Sequence, residues 1–126
     1  MVNRGTGGII CIDHGEGRLH DFALYKRGIG SAVCAGIKVQ GDSGYQGIVK
    51  LHANSETPAK KPRGGELDPA GKAENRRISS ERMVVENVNA KIKVFKITAN
   101  KYRNRRRRFG LRMSLICGII NFENAA

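Results

Sequence analysis

Arg82, Glu86, Asn89 and Lys93 fall at helical spacing within RMVVENVNAKIK (82–93), so one helix would carry an arginine, a carboxylate and a lysine in line. Arg82 and Glu86, one turn apart, could form a surface ion pair worth about 0.2–0.5 kcal/mol. A carboxylate flanked by cations could also work on a charged substrate. A second acidic candidate is Asp42, in Gly41-Asp42-Ser43-Gly44. Taken alone, that run is ordinary turn chemistry, with aspartate, serine and glycine each favoured there. The densest charge lies further on, in Lys101, Arg103, Arg105, Arg106, Arg107, Arg108 and Arg112, with Tyr102 and Phe109 interleaved. Four consecutive arginines repel one another unless an anion or acidic surface meets them. Phosphate contacts independent of base sequence, with the two rings stacking on bases or anchoring the segment, are the chemistry this composition suits.

These residues need elements to hold them. The 82–93 stretch has no Pro or Gly and contains good helix formers at Met83, Glu86, Ala90 and Lys91. Val85, Val88, Ile92 and Phe95 would form its core stripe; at about 100° per residue the Arg82–Glu86–Lys93 stripe lies about 120° round from it. The helix is expected from about Ala70 to Ile97. Upstream, Ile9 to Ile12 reads as a short apolar strand, followed by a turn at Asp13 to Gly17. Asp21 to Lys26 reads as a short helix capped by His20 or Asp21 and ended by Gly28 and Gly30. Ile37 and Val39 suggest a second buried strand stopping at Gly41-Asp42, and Gly44 to His52 a turn followed by a short helix. Residues 55–71 hold all three prolines and no periodicity, and read as a flexible loop. The basic segment and a final apolar helix, about Leu111 to Phe122, complete the chain.

With 126 residues, the chain has room for a single core and is read as one domain, 1–126, with the basic helical segment at 101–122. Lys and Arg number 23 against 11 Asp and Glu, a net charge of +12, which favours an anionic partner. Cys11, Cys34 and Cys117 are far apart, with no C-x-x-C, so neither a zinc site nor a disulfide framework is expected. Their apolar neighbours suggest buried thiols in a reducing compartment. The start, MVNRGTGG, lacks the apolar stretch of a signal peptide. The longest apolar run, Leu115 to Ile120, falls far short of the ~20 residues of a membrane span.

The spacing Arg82-x3-Glu86-x6-Lys93 resembles the R-x3-E-x6-K signature of bacterial insertion-sequence transposases with a DDE active site. DSGYQGI (42–48), ERMVVEN (81–87) and YRNRRRRFGLR (102–112) resemble the same family, in the same order, over nearly the whole chain. The family often has Tyr three residues before the Arg; here that place is Ser79. The resemblance implies an α/β chain with a partial ribonuclease H-like fold, a short sheet packed by a long helix. It makes Asp42 the second and Glu86 the third of three metal-binding carboxylates for Mg²⁺ or Mn²⁺, with Arg82 and Lys93 as phosphate-facing cations. His20-Asp21 resembles an HD pair of the family and reads as a helix cap. Asp13 ends an apolar strand, but the first Asp of the family lies one strand earlier, which would precede Met1. The chain is therefore expected to be an N-terminally truncated catalytic domain, inactive alone. DNA would be its substrate, with an upstream transposase half or further copies of itself as partners, in the cytoplasm, associated with the nucleoid. The alternative is a small basic nucleic-acid-binding protein without catalysis.

Overall fold

The computed structural model describes residues 1–15, 19–100 and 106–125, and for Arg106 the backbone only. Its longest element, α2, runs Pro69–Val94. Asp68 starts it: its Oδ1 accepts from Gly71 N–H (3.1 Å) and its carbonyl from Lys72 N–H (2.9 Å). Pro69 takes the first helical position, where a missing N–H costs nothing. The helix stops at Phe95, and the Thr98 hydroxyl donates to Ile92 O (2.6 Å) and Phe95 O (2.7 Å). A one-turn helix, α3, follows at Lys96–Ala99. The expected helix to Ile97 is thus interrupted near its end.

The chain divides into two compact units, Met1–His14 with Arg82–Ala126, and Gly15–Glu81. The division falls inside α2, between Glu81 and Arg82.

In the unit Gly15–Glu81, α1 spans Asp21–Arg27 and is capped by His20, whose Nδ1 accepts from Phe22 N–H at 3.2 Å. Strands β1 (Val39–Gln40) and β2 (Ser55–Glu56) pair in parallel, Val39 opposite Ser55 and Gln40 opposite Glu56. Two 3₁₀ turns, Ser43–Tyr45 and Ile48–Lys50, fill the connection where a turn and a short helix were expected. The core holds Tyr25, Val39 and Ile48, with Phe22, Ile29, Val33 and Tyr45 packed against them. β2 takes the first two residues of the expected loop 55–71 and α2 the last three. A parallel partner for β1 had to come from somewhere, and Ser55-Glu56 supplies it without an apolar signal.

In the other unit, α4 spans Phe109–Ala125, preceded by a 3₁₀ turn at Arg106–Arg108. Ile9, Val88, Ile116, Cys117 and Ile120 form the core, with Val2, Ile12, Ile92, Phe95 and Ile97 against it. Of the expected stripe Val85, Val88, Ile92 and Phe95, the last three belong to this core, while Val85 is half-buried and is not part of it. Ile9 to Ile12 does not form the expected strand. The backbone of Ile9 is met by the Asn121 amide, which donates to Ile9 O (2.9 Å) and accepts from Ile9 N–H (2.7 Å), leaving only a single antiparallel bridge to Val2. α4 is apolar on more than one face: Leu111, Leu115 and Phe122 stay exposed while Ile116 and Ile120 are buried. All three cysteines are free; Cys117 is buried and Cys11 half-buried, but Cys34 is exposed, because it sits in a turn beyond the core rather than within it. Among the described residues no helix is long and apolar enough to cross a membrane.

Candidate functional site

Asp42 follows directly on the end of β1. Gly41 N–H donates to Glu56 O at 3.0 Å, so the ladder runs to the residue before it. The Asp42 carboxylate then turns back and accepts from Gly44 N–H (Oδ1, 2.8 Å), capping the 3₁₀ turn. The turn reading and the strand-end reading of Asp42 are therefore both met by one geometry. The glycine at 41 is required by close approach: a Cβ there would lie 2.7 Å from Tyr45 Cβ. A Cβ on Gly44 would come within 3.0 Å of Asp42 Oδ1 and 3.5 Å of His20 Cε1, so the cap of α1 and the Asp42 carboxylate both lie beside this turn. Tyr45 packs between the rings of Phe22 (centroids 5.5 Å apart) and Tyr25 (5.9 Å). Its hydroxyl is pushed up in pKa by burial first, then by the charges of Asp21 and Asp42. The HD pair and Asp42 thus share one electrostatic neighbourhood.

Arg82, Glu86 and Lys93 all lie on α2 beyond the unit division, Glu86 and Lys93 exposed and Arg82 half-buried. Asp42 belongs to the other unit. Arg82 and Glu86 do not form the ion pair that their spacing allows. Among the described residues no basic side chain pairs with Asp42 or Glu86. Among the described residues there is no group of three or more His, Cys, Asp or Glu gathered to hold a metal.

Other carboxylates are already engaged. Arg77 on α2 holds three: Glu81 through Nη1 (2.7 Å), Glu56 through Nη2 (2.9 Å), and Glu74 through Nη2 (2.6 Å) and Nε (2.9 Å). Lys38 adds a contact to Glu56 at 2.8 Å. Burial alone would push the Glu56 carboxyl up; hydrogen bonds from Lys38, Gln40 and Arg77, with the charge of Lys38, hold it down to about 2. The hydrogen bond from Arg77 likewise lowers Glu74, and the three carboxylates raise Arg77. The Glu74, Arg77, Glu81 spacing on a helix was a legible signal for part of this group. Nothing in the sequence marked Glu56 or Gln40 as its members.

Of the basic segment, Arg107 and Arg108 are exposed and Arg112 is half-buried near the start of α4; Arg103 and Arg105 lie outside the described residues, as does the Arg106 side chain. His14 packs edge-on against Phe109 at 5.5 Å, so Phe109 anchors this end of α4.

The sequence profile of the DDE superfamily endonuclease family matches residues 2–121, and the chain belongs to that family. It is 50% identical over 125 residues, 99% of its own length, to the probable transposase for insertion sequence element IS702 of Microchaete diplosiphon. It spans 45% of the length of that relative. No solved structure matches.

Proposed function

We propose that this chain is part of the catalytic domain of an insertion-sequence transposase, of partial ribonuclease H-like architecture, and that it serves metal-dependent cleavage and transfer of DNA strands. The observation that carries the reading is the state of Asp42. It stands at a strand end, held by Gly44 N–H, with no cation against it among the described residues, while Glu56, Glu74 and Glu81 are all bound to Arg77. Asp42 and Glu86 are the residues that would hold Mg²⁺ or Mn²⁺. Bound there, such a cation would supply activation of the attacking water or 3′-hydroxyl and stabilisation of the leaving oxygen. The protein side chains do the rest. Arg82 and Lys93 offset charge on the scissile phosphate. Arg103, Arg105, Arg106, Arg107, Arg108 and Arg112 hold the DNA backbone through contacts that carry no sequence information. Asp42 and Glu86 stand for the second and third of the family's three carboxylates, and no residue of this chain is assigned to the first; an upstream transposase half bearing that Asp completes the centre.

The test is strand cleavage of DNA carrying the element ends, in Mg²⁺ or Mn²⁺, by the isolated chain and by the chain supplied with a polypeptide bearing the upstream Asp. We expect turnover only in the second case, and its loss in Asp42→Asn and Glu86→Gln. Robust turnover by the isolated chain would contradict the two-ligand account. Turnover retained in Glu86→Gln would contradict the assignment of the site.

A further inference from the structure

The carboxylates around Arg77 form a closed ring with Gln40. The Gln40 amide donates to Glu56 Oε1 on β2 and to Glu81 Oε2 on α2. Arg77 donates to the other oxygen of each, Glu56 Oε2 and Glu81 Oε1. Both amide hydrogens of Gln40 are used, and both oxygens of both glutamates. A polar network in which every member is satisfied is rigid, whereas one left half-satisfied costs more than an apolar contact. It also admits a single register between the strands and the helix, which an apolar contact of the same size would not enforce. The register so fixed is that of β1, two residues before Asp42. Glu56 grips the same strand end a second time through its backbone, accepting from Gly41 N–H.

We infer that Gln40, Glu56, Arg77 and Glu81 are positioning residues for the Asp42 carboxylate: the ring locks the end of β1 against α2 so that Asp42 is presented in one place. This rests on the reading of Asp42 as a metal ligand. The ring touches neither DNA nor cation, and its role is exerted through the backbone of residues 40–42. Gln40 is the discriminating member because it is neutral. Removing it leaves Arg77 and Lys38 still paired with Glu56, so no charge is orphaned.

The experiment measures Mn²⁺ binding by water-proton relaxation on the wild-type chain and on Gln40→Met, Gln40→Asn and Glu81→Gln, with helix content followed by circular dichroism. The Glu66–Lys72 pair is highly exposed, and Glu66→Gln serves as the control. We expect Gln40→Met to keep its helix signal and to bind Mn²⁺ at least fivefold more weakly. Glu81→Gln, whose single amide oxygen cannot accept from both Gln40 and Arg77, should weaken binding in the same direction, whereas Glu66→Gln should stay within twofold of wild type. Should Gln40→Met lose its helix signal, Gln40→Asn, which shortens the reach without removing the amide, takes the same readout and the same expectation. Wild-type affinity in the folded Gln40 variant overturns the inference and leaves the metal reading intact. No binding by the wild-type chain refutes the metal reading, and this inference with it.

Discussion

Replacing Glu56 by Gln removes a strongly perturbed carboxylate while keeping its size. Its pKa is held at about 2, against an ordinary 4.5. At 1.36 kcal/mol per unit this difference is at most about 3.4 kcal/mol of folding stability. The cations that produce it are open to water, Lys38 by 52% and Arg77 by 38%, so solvent screening brings the expected loss in Glu56→Gln at pH 7 to about 2 kcal/mol. The sign of the pH dependence follows from the direction of the shift. The folded pKa is below the unfolded one, so the unfolded chain takes up the proton first as pH falls. The contribution is complete above 4.5 and is lost as pH falls towards 2. Urea unfolding at pH 7.0 and 3.5, followed by circular dichroism, reads it directly. The gap between wild type and Glu56→Gln should narrow by about 1 kcal/mol between these pH values, because the unfolded wild-type chain is largely protonated at the lower one. A variant as stable as wild type at pH 7, or a gap that does not change with pH, would refute the claim that the Arg77 ring stabilises an ionised Glu56.

Two further outcomes follow from the site. Gly41→Ala places a methyl group 2.7 Å from Tyr45 Cβ, beside buried Val39, and should destabilise the fold by about 1–3 kcal/mol in the same urea assay. Replacing Arg105, Arg106, Arg107 and Arg108 together by Ala should weaken binding to any DNA and flatten the dependence of log K on log salt by about 3–4. An unchanged slope in a fluorescence-anisotropy titration would mean that this segment contacts no phosphates.

Much of the helical framework could be read from residue order because its signals are local. The Val88 and Ile92 spacing announced the buried face of α2, with Phe95 just past its end, and His20-Asp21 announced the cap of α1, which falls at His20, where its Nδ1 accepts from Phe22 N–H. The stop of β1 at Gly41-Asp42 was legible because Gly and Asp break strands. What escaped notice depends on partners distant in sequence. Ser55-Glu56 has no apolar alternation, and becomes a strand because β1 lies beside it. Ile9 to Ile12 has the composition of a strand, yet the backbone of Ile9 is taken by an amide 112 residues away. The Arg77 ring joins Gln40, Glu56 and Glu81, and only the helical i, i+4 part of it shows in the sequence. The candidate carboxylates divided in the same way. Family motifs singled out Asp42 and Glu86, whereas spacing alone offered a turn and an ion pair, of which only the turn formed.

The most direct measurement is divalent-cation binding by the chain itself, with Mn²⁺ as the relaxation probe and Asp42→Ala, Glu86→Ala and Asp13→Ala compared with wild type. The account predicts that each of the first two variants loses Mn²⁺ binding while Asp13→Ala, an exposed aspartate outside the proposed pair, retains it. Binding that survives in both Asp42→Ala and Glu86→Ala would contradict the assignment of this chain to metal-assisted DNA chemistry through those carboxylates.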